Sequence, residues 1–250
     1  MRLKDKAAIV TGASTGIGQA IALRFAEEGA DVCCVANKNV EGIKHAAEEI
    51  QRMGRKSMWQ QTDVTKPSDI DKMVAAAADK FGKIDILVNN AGIFISATIL
   101  ELKEADWDTM IDTMLKGTFF CSQRVIPYML KQGKGKIVNL ASTFGAVGFP
   151  DASAYCAAKG GVINLTRQLA FDLAPKNINV NALGPGTTDT PLMRPDLEKP
   201  ERARLYLERI PYGRVAQPEE IASAALYLAS DEADYVNGHT LFIDGGWLTQ

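Results

Sequence analysis

The 250-residue sequence has few of the residues that build metal sites and disulfide frameworks. It contains two histidines, His45 and His239, and four cysteines with no Cys-x-x-Cys or Cys/His spacing. We therefore expect neither a metal site nor disulfide bonds. No apolar run approaches the roughly 18 residues of a membrane span, and the first six residues lead into a strand-like segment without a signal-peptide core. These absences predict a reduced, cytoplasmic protein that has no contact with a membrane.

The chain also lacks an excess of charge of either sign. Its 28 Lys and Arg residues and 30 Asp and Glu residues give a formal net charge of −2. Binding to nucleic acid or to an anionic membrane surface usually needs a clear positive excess, so neither partner is expected. Hydrophobic residues make up 46% of the chain, which is enough for one large core.

Short apolar runs alternate with amphipathic stretches along the whole sequence. We predict strands at Ala7–Thr11, Asp31–Ala36, Ser57–Thr62, Ile84–Asn89, Lys136–Leu140, Asn179–Leu183 and Thr240–Ile243. Helices are predicted at Ile17–Glu28, Val40–Met53, Pro67–Phe81, Lys103–Gln132, Ala154–Leu173 and Pro218–Ala229. Such alternation is typical of right-handed βαβ units and a parallel sheet covered on both faces. We expect one dinucleotide-binding and catalytic domain over residues 1–250, with a mobile substrate loop and a short helix at about 187–212.

A glycine-rich turn follows the first predicted strand and opens the first helix. Residues Thr11–Gly18 read TGASTGIG. Glycines let the chain turn tightly and let backbone N–H groups approach a pyrophosphate, and the helix dipole adds to that attraction. The position of this turn at the start of a βαβ series predicts a dinucleotide-binding site.

The end of the second strand indicates which dinucleotide is used. An acidic residue there would bind the ribose 2′-hydroxyl of NAD, whereas a basic residue would meet the 2′-phosphate of NADP. The stretch contains Asn37 and Lys38 and no acid, because Asp31 lies at the other end of the strand. NADP(H) is therefore favoured over NAD(H), and use of both remains open.

Three residues farther along could form an acid–base site. Tyr155 and Lys159 are four residues apart on a predicted helix, so they share a face. A nearby ammonium, with the positive ring of an oxidised nicotinamide, would lower the pKa of a tyrosine from about 10. Ser142 follows a strand and could hold the substrate oxygen beside the phenol. The three residues predict general acid–base catalysis next to a hydride carrier.

These motifs together resemble the short-chain dehydrogenase/reductase family over essentially the full chain. They occur in the family's order, as Thr11–Gly18, Asp63–Val64, Asn89–Gly92, Ser142, Tyr155 with Lys159, and Pro185–Gly186. The resemblance implies a Rossmann-type, doubly wound α/β fold with a seven-stranded parallel sheet and helices on both faces. By the same analogy, the ending Gly238–Gly246 is expected to form an oligomer contact in a homotetramer.

The resemblance also implies roles for the cofactor-binding residues. Asp63 and Val64 would contact the adenine, Lys159 would hold the nicotinamide ribose, and Pro185 to Thr190 would receive the carboxamide. The predicted cofactor-binding set is Gly12, Ser14, Thr15, Gly16, Ile17, Gly18, Asn37, Lys38, Asp63, Val64, Asn89, Ala91, Gly92, Tyr155, Lys159, Pro185, Gly186, Thr188 and Thr190.

One position departs from the family pattern. Members usually carry a fourth catalytic residue, an asparagine, where this chain has Met114. The asparagine helps to hold a water that links the lysine to solvent, largely through its main-chain carbonyl, which methionine also provides. We expect catalysis to survive with an altered proton relay. The alternative is a dinucleotide-binding or sensor protein with weak or no turnover.

The expected function is interconversion of a secondary alcohol and a ketone, with Tyr155 as general acid–base. Four residues predict a largely apolar substrate pocket, suited to a ring or an aliphatic chain: Phe94, Phe144, Phe149 and Met193. Within this class, reduction of a 3-oxoacyl thioester competes with dehydrogenation of a steroid, a cyclic alcohol or a sugar. The fold alone does not choose among these substrates.

Overall fold

Seven parallel strands form one sheet in the computed structural model, which describes residues 1–249. The strands are β1 (Ala7–Thr11), β2 (Asp31–Ala36), β3 (Ser57–Gln61), β4 (Ile86–Asn89), β5 (Gly135–Leu140), β6 (Ile178–Pro185) and β7 (Thr240–Ile243). Their order across the sheet is β3-β2-β1-β4-β5-β6-β7, and every pairing is parallel. The predicted doubly wound, seven-stranded Rossmann-type fold is confirmed.

The helices cover both faces of the sheet. They are α1 (Gly16–Glu27), α2 (Val40–Arg52), α3 (Pro67–Phe81), α4 (Glu104–Ile111), α5 (Gly117–Gln132), α6 (Ser153–Leu173), α7 (Arg194–Leu197), α8 (Pro200–Leu207) and α9 (Pro218–Ala229). One core cluster joins the sheet to α1, α2 and α9. A second cluster joins the opposite face to α3, α5 and α6.

The two cysteines of β2 illustrate how the sheet divides the core. Successive side chains of a strand point to opposite faces, and Cys33 and Cys34 accordingly belong to different core clusters. Both side chains are fully buried, and burial raises the pKa of the Cys34 thiol to about 12. They serve as small core residues.

Glycine and proline residues mark the ends of several helices. Gly29, Gly54 and Gly82 follow the ends of α1, α2 and α3, and all three have positive φ values. Pro218 begins α9. The N–H groups of a helix's first turn have no partner within the helix, so the missing N–H of proline leaves no hydrogen bond unmade. Glu220, in the first turn, accepts from the backbone N–H of Gln217 at 2.8 Å.

Two segments differ from the expectation in detail. The predicted helix Lys103–Gln132 is interrupted by a π-helical turn, Asp112–Lys116, that separates α4 from α5. The region 187–212, predicted to hold one short helix, holds both α7 and α8. The side chain of Tyr206, on α8, is completely buried, so this helix has an apolar anchor that its proline- and charge-rich sequence does not suggest.

Candidate active site

A cleft opens where the carboxyl ends of β1 and β4 diverge. The chain leaves these neighbouring strands towards opposite sides of the sheet, and ligands of open α/β sheets bind at such a point. The cleft has a volume of about 440 Å³, within the range of small-molecule sites. Its lining joins the glycine-rich turn at one end to Ser142, Tyr155 and Lys159 at the other.

The glycine-rich turn is held in place by Asn90. The amide nitrogen of its side chain donates to the carbonyl oxygens of Thr11 and Gly12 at 2.9 and 3.1 Å. In return, the Thr11 hydroxyl accepts from the backbone N–H of Asn90 at 2.9 Å. A Cβ added at Gly18 would lie 2.2 Å from the Gly12 oxygen, so only glycine fits where α1 packs on the turn. Asn90 was not among the predicted site residues, although it lies within Asn89–Gly92.

The first backbone N–H groups of α1 face the cleft, and no N-cap side chain accepts hydrogen bonds from them. Gly12 and Gly16 have φ values of +66° and +57°, which glycine adopts without strain. The side chain of Thr15, at the N-cap, makes no capping hydrogen bond to the first turn. Ser14, Ile17 and Gly18 also line the cleft. This cradle of backbone N–H groups fits a dinucleotide pyrophosphate.

The residues predicted to bind the adenosine part of the cofactor follow the carboxyl ends of β2 and β3. Asn37 and Lys38 follow β2 and are exposed, and no ion pair joins Lys38 to another residue between 1 and 249. Asp63 accepts from the backbone N–H and hydroxyl of Thr65 at 3.0 and 2.7 Å. Burial alone would raise the pKa of Asp63, but these hydrogen bonds outweigh it and hold the pKa below its usual value.

Asn89, predicted to line the central cofactor site, instead ties the core together. Its side-chain nitrogen donates to Ser122 Oγ at 3.0 Å and to Asn139 Oδ1 at 2.8 Å. Asn139 in turn donates to Thr166 at 2.9 Å. The network is buried and fixes β4 and β5 against α5 and α6. Gly92, from the same motif, does line the cleft.

Ser142, Tyr155 and Lys159 meet at the deep end of the cleft. Ser142 follows β5 and accepts from the backbone N–H of Phe144 at 3.2 Å, which orients its hydroxyl. Tyr155 and Lys159 share the inner face of α6, and the Lys159 Nζ lies 5.6 Å from the centre of the Tyr155 ring. Nζ also donates to the carbonyl oxygen of Leu140 at 2.5 Å.

Burial shifts the pKa values of both α6 side chains, Tyr155 and Lys159. It raises the pKa of Tyr155 to about 12, and a hydrogen bond with Ser142 offsets only part of that rise. It also lowers the pKa of Lys159 to about 8. Desolvation thus dominates the pKa of Tyr155 in the chain alone. The lowering expected from the Lys159 ammonium together with an oxidised nicotinamide stays a prediction. Tyr155 is a protonated donor at neutral pH.

Met114 lies in the π-helical turn, close to Tyr155. Its side chain is 1% exposed and packs with Met110, Ala154 and Ala158, and Tyr155 borders this cluster. Its main-chain carbonyl accepts from the Thr118 hydroxyl at 2.6 Å. The carbonyl on which a relay water would depend thus already has one protein donor, and the side chain beside it is apolar.

The side of the cleft predicted to hold the substrate is aromatic and aliphatic. Phe94, Phe144 and Met193 line it, together with Ile93 and Leu192. Phe149, predicted to line the pocket, lies behind Phe144, with ring centres 4.4 Å apart and planes 10° apart. Lys159 is the only charged residue in the lining of this cleft within the described chain.

The predicted carboxamide segment forms the remaining wall. Pro185, Gly186, Thr188 and Thr190 all line the cleft. The Thr188 hydroxyl donates to the Gly186 carbonyl at 3.0 Å, and Gly186 N–H donates to Ile243 of β7 at 2.9 Å. These contacts hold the segment as it leaves β6.

Residues 1–249 contain no group of three or more His, Cys, Asp or Glu side chains that could hold a metal ion. Within the same residues, no helix has the length and apolar character needed to cross a bilayer.

Comparison with known proteins adds to this geometry. Residues 12–248 match the short-chain dehydrogenase/reductase family model described as enoyl-(acyl carrier protein) reductase. The 3-oxoacyl-[acyl-carrier-protein] reductase FabG of Thermotoga maritima is 44% identical, over 98% of this chain and 99% of its own length. A structure of a 2-deoxy-D-gluconate 3-dehydrogenase from Agrobacterium tumefaciens with bound NADP is 40% identical, with a TM-score of 0.91 and 99% and 98% of the two chains covered. A short-chain alcohol dehydrogenase structure from Sinorhizobium meliloti is also 40% identical, with a TM-score of 0.95 and the same coverage.

Proposed function

The chain belongs to the short-chain dehydrogenase/reductase family of oxidoreductases that use a nicotinamide dinucleotide, and we propose that it interconverts a ketone and a secondary alcohol. The observation on which this proposal depends is the meeting of Ser142, Tyr155 and Lys159 at the end of a cleft that begins at a phosphate-binding turn. We further infer that residues 1–250 act as one catalytic domain, with a substrate loop at about 187–212.

Tyr155 handles the proton of the reaction. In the direction of reduction, its phenol donates a proton to the carbonyl oxygen while the carbonyl carbon receives a hydride, and the product is an alcohol. The bound nicotinamide supplies that hydride. Burial raises the pKa of Tyr155 to about 12, which favours the protonated phenol that this step requires.

Ser142 and Lys159 orient the partners of Tyr155. The Ser142 hydroxyl, oriented by the N–H of Phe144, holds the substrate oxygen beside the phenol. Lys159 would bind the hydroxyls of the nicotinamide ribose, and it supplies positive charge near the developing phenolate. That charge stabilises the phenolate after proton transfer, because opposite charges attract strongly in a poorly hydrated site.

The cofactor preference is proposed to be NADP(H) over NAD(H). The fit rests on the glycine cradle at one end and on Lys38, an exposed cation with no carboxylate partner in the described chain, at the other. Asn37 lies beside it, and Asp63 and Val64 are the proposed adenine contacts. Ala91, Gly92, Pro185, Thr188 and Thr190 would hold the central and nicotinamide parts.

The substrate is proposed to be an uncharged ketone with an apolar group next to the carbonyl. Its support is the lining by Phe94, Phe144 and Met193 and the scarcity of charge on that side of the cleft. A carboxylate placed there would lose its hydration without gaining a partner. Arg194, which follows Met193 in the chain, is paired with Asp189 at 2.9 Å.

A 3-oxoacyl thioester is the second candidate substrate. The 44% identical relative named for this activity favours it, and an acyl chain would also suit the apolar wall. A dinucleotide-binding sensor without turnover is the alternative that Met114 favours. We also propose a homotetramer, with Gly238–Gly246 in a subunit contact, and a cytoplasmic location.

The test is turnover followed by absorbance of the reduced nicotinamide. Purified protein is mixed with NADPH or NADH and with neutral cyclic ketones, aryl ketones, a 3-oxoacyl thioester and keto sugar acids. We expect reduction of neutral ketones or the thioester, a loss of roughly 100-fold or more in Tyr155→Phe, and retained cofactor binding by that variant. Tyr235→Phe, at a fully exposed tyrosine, is the matched control. Tight cofactor binding without turnover would support the sensor alternative.

A further inference from the structure

Four polar residues that the proposed reaction does not use form a cluster where the substrate loop meets the turn before α6. We call Asp151, Asp196, Arg202 and Tyr206 the loop brace. Arg202, on α8, donates to Asp196 Oδ2 from Nε and Nη2 at 3.3 and 3.0 Å. Its Nη1 lies 3.5 Å from Asp151 Oδ2. The Arg202 and Asp196 side chains are only 16% and 17% exposed.

Arg202 connects three separate parts of the chain. Asp196 belongs to α7 of the substrate loop, whereas Asp151 lies two residues before α6, the helix that contains Tyr155. Arg202 Nη2 also contacts Ser96 Oγ at 3.4 Å, in the segment that follows β4. Since Ala97 N–H donates to the Asp151 carbonyl at 3.1 Å, one guanidinium joins the loop to a turn that is already fixed beside the catalytic helix.

Tyr206 extends this connection to the wall of the cleft. Its hydroxyl donates to Asp196 Oδ2 at 2.8 Å, and its ring stacks on Phe149 with centres 4.9 Å apart. Phe149 stacks on Phe144 at 4.4 Å, and Phe144 meets the Tyr155 ring edge-on at 6.2 Å. A continuous set of ring contacts therefore runs from the substrate loop to the catalytic tyrosine.

We propose that Arg202 and Tyr206 are positioning residues, which seat the substrate loop and thereby fix the aromatic wall against which the substrate binds. The proposal rests on the function proposed above. Asp196 accepts from both residues, so the ion pair and the ring stack are held by one carboxylate. When Arg202 is lost, Asp196 and Asp151 lose their shared cation, the loop gains freedom, and part of the binding energy of the substrate is spent on ordering it.

The test compares Arg202→Met with Arg204→Met. Both arginines are on α8, but Arg204 is exposed and pairs only with Glu208, four residues on, among the described residues. We expect Arg202→Met to raise KM about 10-fold or more while kcat and the cofactor Kd stay within about threefold. Thermolysin should cleave this variant faster within 187–212. Arg204→Met should match the wild type in all four measurements.

Two variants at Tyr206 separate the hydrogen bond from the stack. Tyr206→Phe removes only the hydroxyl, whereas Tyr206→Leu removes the ring. We expect a graded rise in KM, larger for Tyr206→Leu. Arg202→Lys keeps the positive charge but lacks the planar guanidinium, so its KM should lie between those of the wild type and Arg202→Met.

The outcomes distinguish positioning from support of the fold. A lower melting temperature in Arg202→Met with unchanged KM and unchanged loop cleavage would overturn the proposal. So would equal kinetics and cleavage in the Arg202→Met and Arg204→Met variants. If the wild type turns over no substrate, the proposed function fails. The cleavage comparison, made with NADPH and without it, still decides whether Arg202 seats the loop.

Discussion

The Lys159 ammonium donates to the carbonyl oxygen of Leu140, the last residue of β5, at 2.5 Å. The lysine side chain is 5% exposed, and no carboxylate acts on its pKa among residues 1–249. Burial without a counter-charge is what lowers its pKa to about 8. The protein thus holds a cation in an unfavourable position, as functional sites often do at the expense of stability.

Replacing Lys159 by methionine is expected to stabilise the fold at pH 7, where the lysine is charged in both the folded and the unfolded states. The shift from 10.5 to about 8 sets an upper bound of about 3–4 kcal/mol. Loss of the donor to Leu140 reduces the gain to roughly 1–2 kcal/mol. Thermal or urea unfolding measures this difference.

The pH dependence of that gain has a definite sign. Between pH 8 and 10.5 the folded wild type loses the Lys159 proton before the unfolded chain does, so its stability rises with pH relative to Lys159→Met. The advantage of the variant should therefore shrink over this range. Lys131→Met, at an exposed lysine, is the control and should show no such trend. A constant advantage from pH 7 to 10 would contradict a charged buried lysine.

Replacing Met114 by asparagine places an amide in an apolar cluster. We expect a loss of about 1–3 kcal/mol in unfolding free energy, because Met110, Ala154 and Ala158 offer the amide no side-chain partner. We also expect a changed pH dependence of turnover, since a polar amide would then lie near Tyr155 and the α6 turn that contains Lys159. Met114→Leu is the control. If neither turnover nor its pH profile changed in Met114→Asn, position 114 would have no part in proton transfer.

Replacing Lys38 by alanine tests the cofactor preference. Loss of a cation near a 2′-phosphate should weaken NADPH binding about 5- to 10-fold at low salt and leave NADH binding unchanged. The difference should narrow as ionic strength rises, because the contact is exposed and therefore screened. Lys72→Ala, on α3, is the matched control. Equal effects on NADPH and NADH would show that Lys38 does not select between them.

Replacing Gly18 by alanine tests the close approach of α1 to the glycine-rich turn. The added Cβ would meet the Gly12 oxygen at 2.2 Å and the Asn90 amide at 2.3 Å, so the turn must move. We expect lost or much weakened cofactor binding and a lower melting temperature. Gly148→Ala, where a Cβ would meet nothing within 4 Å, should leave both unchanged. Normal cofactor binding by Gly18→Ala would argue against this turn as the phosphate site.

The fold could be predicted from the sequence because its signals are local. Strands β1, β2 and β7 and helices α3 and α9 have the predicted bounds, since apolar periodicity, glycine stops and Pro218 act within a few residues. The cleft residues Ser142, Tyr155 and Lys159 were also predictable, because fixed spacings after a strand or along a helix place them at the same edge of the sheet.

Tertiary structure decided what depends on distant contacts. The place of Phe149 behind Phe144, the interior network of Asn89 and the brace around Arg202 each join segments far apart in sequence. The partner of Lys159 is a main-chain oxygen, which side-chain identities do not reveal. The direction of the Tyr155 pKa shift depends on desolvation. The desolvation energy is set by the folded surroundings of the phenol and not by its spacing from Lys159.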